Sequence, residues 1–174
     1  MSTANRVQVT TTSVGRTRTL GRRVARLLRP GDVLLLQGPL GAGKTALAQG
    51  IGAGLGVEGP VNSPTFVLLA RHDPPEDGRG LALFHADLYR LGGPDEVDDL
   101  GLAEQAAEGV LLVEWPERAF EALPAEHLLV AIELDEADPK SRRFTFVATS
   151  DRYRRVLDGL LAGGAASGGS ARVR

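Results

Sequence analysis

Gly38, Gly43, Lys44 and Thr45 satisfy the spacing G-x-x-x-x-G-K-[ST], which serves the binding of a nucleotide's phosphate chain. Glycines let the main chain turn so that successive N–H groups, from Gly38 through Gly41 and Ala42 to Gly43, converge on phosphate oxygens. The start of the following helix adds roughly half a positive charge at the same point. Lys44 is placed to reach the β- and γ-phosphates, and the Thr45 hydroxyl to ligate Mg²⁺. Two acids, Asp87 and Glu114, each end an apolar run and are candidates to bring a carboxylate to the metal or to an attacking water. Spacing does not choose between them. Glu114 is favoured for the metal because Val110–Val113 is the more continuously apolar run, hence the more central strand. Asp87 would then position water or a switch segment, and Thr65, after the first loop helix, could sense the γ-phosphate or simply open a strand after Pro64.

The elements that must hold these residues are legible as periodicities. Val33–Leu36 reads as a buried parallel strand, and Thr45 to Leu55 as a helix whose length Gly50 and Gly52 put in question. Upstream, Arg6 to Thr12 alternates as a short strand covering a sheet edge. From Thr17, Leu20, Val24, Leu27 and Leu28 follow helical spacing, with Arg18, Arg22, Arg26 and Arg29 on the other face and Pro30-Gly31 as the stop. Val67–Ala70 and Leu81–Asp87 read as strands around a loop, Pro94 to Ala107 as one acidic helix, and Leu128–Leu134 with Phe144–Ala148 as an antiparallel pair. Tyr153 to Leu161 reads as a last helix, and residues 162–174 as a disordered tail.

Composition narrows the class. At 174 residues and 43% apolar content, residues 1–161 are expected to form a single domain. The chain has no cysteine, which removes disulfides and thiolate chemistry, and no apolar run near the length of a membrane span, so a soluble cytoplasmic protein is expected. Residues 1–29 hold seven arginines and no acid, whereas residues 73–138 hold 18 acids and three arginines. Such a split orients a protein against a charged partner or leaves two solvated faces.

Taken together, the motifs Gly38-Pro-Leu-Gly-Ala-Gly-Lys-Thr45, Ser63-Pro-Thr-Phe66, His85-Ala-Asp-Leu-Tyr-Arg90 and Val113-Glu-Trp-Pro-Glu117 resemble the bacterial TsaE family. That family supplies the ATPase subunit for threonylcarbamoyladenosine synthesis in tRNA. The resemblance implies a P-loop NTPase fold of the α/β class, a small, mixed, mostly parallel sheet flanked by helices, binding ATP with Mg²⁺. It implies phosphate contact for Lys44, metal contact for Thr45 and Glu114, and a need for Asp87 and Trp115 in activity. Thr17 would lie near the adenine, and Arg143 matches a basic residue before the final strand. Many members carry a second hydroxyl where this chain has Ala46, whose N–H would still serve a phosphate. The implied partners are a transferase subunit, which performs the threonylcarbamoyl transfer, and its dimerising homologue, with tRNA engaged indirectly and slow basal hydrolysis.

Two further classes stay open on residues alone: a small-molecule kinase and a nucleotide-dependent assembly switch with negligible hydrolysis. Against a kinase, the segment that could act as a lid, Pro94 to Glu108, contains no arginine. Guanine selection usually uses Asn-Lys-x-Asp, and the only asparagines are Asn5 and Asn62.

Overall fold

A computed structural model describes residues 5–77, 80–164 and 171–173. Strand β1 (Arg6–Thr11) leads into helix α1 (Val14–Ala25), and β2 (Val33–Gln37) into α2 (Lys44–Leu55). Strands β3 (Leu69–His72) and β4 (Leu83–Asp87) come next, followed by α3 (Asp95–Asp98), α4 (Leu102–Glu108) and β5 (Val110–Glu114). The remaining elements are β6 (Leu128–Leu134), β7 (Arg142–Ala148), α5 (Arg154–Gly164) and β8 (Ala171–Val173).

All eight strands lie in one sheet, ordered β3-β4-β5-β2-β6-β7-β1-β8. Pairing is parallel from β4 through β5 and β2 to β6, and antiparallel in the other four ladders. The sheet is therefore mixed, but the expectation of a mostly parallel one is corrected: only the centre is parallel. The connections between β3 and β4 and between β6 and β7 are too short for a helical crossover, so each second strand returns antiparallel. The parallel centre is apolar on both faces, as a strand covered on both sides must be. Leu34 and Leu36 join a core with Leu47 and Ile51 of α2 and Leu20 and Val24 of α1, while Val33 and Leu35 join a second core with Val97, Leu102 and Ala106 of α3 and α4. Each fully buried leucine contributes roughly 1.5–3 kcal/mol, so these alternating residues fix which strand lies centrally.

Several expected boundaries move, each for a physical reason. Helix α1 starts earlier, where the Ser13 hydroxyl accepts the Arg16 N–H, and ends at Ala25 in a tight turn before Pro30. Arg18, Arg22, Arg26 and Arg29 are all exposed, as the helical spacing predicts. Helix α2 runs to Leu55 despite its glycines. A Cβ on Gly50 would sit 2.2 Å from the Arg18 carbonyl oxygen, so that glycine permits the close contact with α1 that offsets its roughly 1 kcal/mol helix penalty. The acidic segment is two helices, broken where Gly101 takes φ +58°. Val97 and Leu102, five residues apart, would point about 140° apart on one helix; the break brings both onto the sheet.

Strand β1 is not at the edge, because β8 pairs along its outer side, Val7 opposite Val173. The expected disordered tail is corrected in the same place. Helix α5 continues to Gly164 and Ala171–Val173 is a strand, whereas residues 165–170 and Arg174 lie outside the described residues. Among the described residues no helix is long and apolar enough to cross a membrane.

Candidate functional site

The central strands end at one rim of the sheet, and the candidate residues gather there. After Gln37 the chain turns through residues 38–43 and enters α2 at Lys44. Gly43 takes φ +105°, a left-handed conformation that a side chain would strain. The first turn of α2 has main-chain N–H groups without partners inside the helix. Ala42 is buried and its N–H donates to the Pro39 carbonyl within the loop, 3.1 Å away.

A cavity of about 400 Å³ opens over this loop. Gly41, Lys44, Thr45, Thr65, Asp87, Glu114 and Trp115 all line it. Parallel register between β4 and β5 sets Asp87 directly opposite Glu114, and both carboxylates are almost completely buried. Their partners differ. Asp87 accepts bonds from the Ser63 hydroxyl, from the Thr65 hydroxyl at 3.1 Å and from the Tyr89 main-chain N–H at 2.9 Å. Glu114 has His85, whose Nε2 lies 2.9 Å from Oε1.

Lys44 Nζ donates to the carbonyls of Gly38, at 2.6 Å, and Pro39, at 2.9 Å. It also lies 4.0 Å from the Trp115 ring centroid. Burial pushes the Lys44 ammonium below its ordinary range, and the charges of Glu114, Glu117 and Asp87 work against that shift without overcoming it. Trp115 has φ +57°. A non-glycine residue there costs on the order of 1–3 kcal/mol, comparable to the roughly 0.5–2 kcal/mol of a partly desolvated cation–π contact. The bend therefore persists because Trp115 also packs on Tyr89, with ring centroids 4.8 Å apart.

A second cavity, about 470 Å³, lies across the loop and shares Gly41 and Gly43 with the first. Thr17 lines it, buried, with its Oγ1 2.7 Å from Thr11 Oγ1 and donating to the Ser13 carbonyl at 3.2 Å. Thr12, Ser13, Lys140 and Arg142 complete the lining on its polar side. Arg143 is not brought here. Side chains alternate along β7, so Arg142 shares a face with the buried Phe144 and Phe146, while exposed Arg143 turns away and pairs with Glu133 at 3.4 Å. At this cavity the structure places Arg142 and not Arg143. Ala46 lines neither cavity.

Sequence reasoning left Ser63, Tyr89 and Arg142 unassigned. The signals were present: Ser63 and Tyr89 lie inside quoted motifs, and strand alternation from Phe144 singles out Arg142. Among the described residues no three His, Cys, Asp or Glu side chains cluster to hold a metal. The side-chain oxygens at the cavity are those of Thr45, Ser63, Thr65, Asp87 and Glu114, with only two carboxylates among them. Such a sparse, hard donor set fits Mg²⁺, which keeps waters and completes its shell with substrate phosphates instead of an all-protein cage.

The family model described as threonylcarbamoyl adenosine biosynthesis protein TsaE matches residues 11–144. The chain belongs to the TsaE family. It is similar to the tRNA threonylcarbamoyladenosine biosynthesis protein TsaE of Streptomyces coelicolor, 45% identical over 150 residues that cover 84% of this chain and 99% of that protein. The TsaE protein of Bacillus subtilis is 41% identical over 145 residues, covering 83% and 87% respectively. In structure the chain resembles crystalline Bacillus subtilis YdiB, with a TM-score of 0.73 and 31% identity over 94% of this chain and 99% of that one. The TsaE match ends at residue 144 and so includes both cavities but not α5 or β8.

Proposed function

We propose that this chain is the cytoplasmic P-loop ATPase of threonylcarbamoyl modification in tRNA, binding ATP with Mg²⁺ and hydrolysing it slowly until its partners engage. The observation that carries this reading is the convergence of Lys44, Thr45, Asp87 and Glu114 around one cavity above the glycine loop, with a second cavity across Gly41 and Gly43. The first is suited to the phosphate chain and the second to the nucleoside, with Thr17 beside it. Membership of the TsaE family supports the pathway.

Lys44, Gly41, Gly43 and the start of α2 would hold the phosphates, and Thr45 with Glu114 would hold Mg²⁺, which supplies charge neutralisation between phosphate oxygens. Lys44 now bonds neutral carbonyls in a partly dry setting; a triphosphate offers charge-assisted bonds about twice as strong. Asp87 ties Ser63 and Thr65 to the cavity wall, which suits a segment that responds to the γ-phosphate. The transferase subunit and its dimerising homologue are the proposed partners. A rim of exposed apolar residues at the cavity mouth supports docking there: Leu40 is 81% exposed, and Phe66, next to Thr65, is 85% exposed.

The test is calorimetric ATP binding together with ATP hydrolysis, alone and with the transferase pair. Removing the cationic partner in Lys44→Ala should weaken ATP binding by about 10- to 100-fold. Undiminished affinity would overturn the site assignment, and turnover unchanged by the pair would overturn the partner reading.

A further inference from the structure

A glutamate side chain turns about three bonds, so a carboxylate that must meet a cation or a water at a fixed place needs something to aim it. We propose that His85 aims Glu114, as a positioning residue that acts through the carboxylate and never on the nucleotide. The proposal rests on the ATPase reading of the cavity and goes beyond it, since that reading gives His85 no part.

The placement follows from sheet geometry. In the parallel β4–β5 ladder His85 lies opposite Leu112 and Asp87 opposite Glu114. Alternate residues share a face, so His85 and Glu114 are diagonal neighbours on the face that carries α2. Their contact is 2.9 Å, with the imidazole fully buried and the carboxylate nearly so. A carboxylate only accepts hydrogen bonds, so Nε2 is the donor.

Two comparisons say that this bond has a purpose beyond filling the core. The other ring nitrogen, Nδ1, is buried without a hydrogen-bond partner among the described residues. A leucine would fill the space without an unpaired ring nitrogen, but it would leave the buried Glu114 carboxylate without its donor. What the imidazole adds is therefore the Nε2 donor. Asp87, the adjacent acid, is held by three donors, so losing one leaves it anchored. Among the described residues Glu114 has only His85. With one oxygen committed to His85, the second stays available to the contents of the cavity. Residues that orient a metal-holding side chain in this way typically change metal affinity or activity by about 10- to 100-fold when removed.

The experiment compares His85→Leu with His85→Gln, whose amide nitrogen reaches about as far as Nε2 and keeps a donor. In the leucine variant kcat for ATP hydrolysis should fall about 10- to 100-fold, and the Mg²⁺ needed for half-maximal rate should rise about tenfold. ATP affinity without Mg²⁺, read by calorimetry, should stay within about twofold, because His85 touches no phosphate-binding group. The glutamine variant should recover most of the loss. An unchanged kcat and Mg²⁺ requirement in His85→Leu overturns the proposal, and so does an equal loss in both variants with Mg²⁺-free binding lost as well, which would mark a packing residue. Two further variants separate the readings: full turnover in Glu114→Ala takes the metal role from Glu114 and overturns this proposal alone, whereas undiminished ATP affinity in Lys44→Ala sinks the cavity assignment itself. Ring ¹⁵N spectra of the unmodified protein give a readout independent of turnover. They should show hydrogen on Nε2 of His85, and hydrogen on Nδ1 alone would overturn the proposal.

Discussion

In the cavity proposed for the phosphates, the charged groups come from the ends of central strands and the first residue of a helix, and each is tied down. Asp87 has three donors, Glu114 has His85, and Lys44 has two carbonyls and an indole face. In the cavity proposed for the nucleoside, Thr12, Ser13, Pro139 and Lys140 come from connections, and only Thr17 is buried with its hydroxyl committed. Chemistry at a γ-phosphate tolerates little misplacement, whereas gripping a base and ribose tolerates adjustable walls. On the proposed function, the antiparallel flank, β7 and β1, would bring recognition, and the parallel centre would bring reaction geometry.

The comparison can be broken from either side. The largest effect is expected at Glu114, where Glu114→Ala should lower turnover at least about 100-fold while ATP affinity stays within about tenfold; retained turnover would return the metal role to Asp87. Next comes the pair on β7. Arg142→Ala should weaken ATP binding about tenfold by loss of a charged contact, and Arg143→Ala less than about twofold, since its exposed pair with Glu133 is worth little. Equal effects would dissolve the assignment of the second cavity. The smallest effect is expected for Thr17→Val: about a threefold loss of ATP affinity, of the size of one modest hydrogen bond, with tripolyphosphate binding unaltered. A matching loss for tripolyphosphate would mean that Thr17 acts on the loop and not on the nucleoside.

How much of this was legible in the amino-acid order depended on the range of the interaction involved. The loop, β2, β4 and β5 are written in local spacing and uninterrupted apolar runs, so Lys44, Thr45, Asp87 and Glu114 could be named without coordinates. The direction of each ladder is not local, and the resemblance overstated the parallel part. Gly50 reads as a weakness in α2 until the Arg18 carbonyl is seen against it. The break at Gly101 depends on two side chains needing one sheet face, and β8 on a partner strand more than 160 positions away. Arg142 and Arg143 are equivalent as text and opposite in space; only counting alternation back from Phe144 tells them apart.

The chain has a single tryptophan, and it sits on the Lys44 ammonium at the phosphate loop. Light emitted by the protein on excitation near the red edge of indole absorption therefore comes from one place, the wall of the cavity over the glycine loop. If a triphosphate binds as proposed and draws the ammonium away, the electric field at that ring would change, giving an intrinsic optical gauge of occupancy that requires no label.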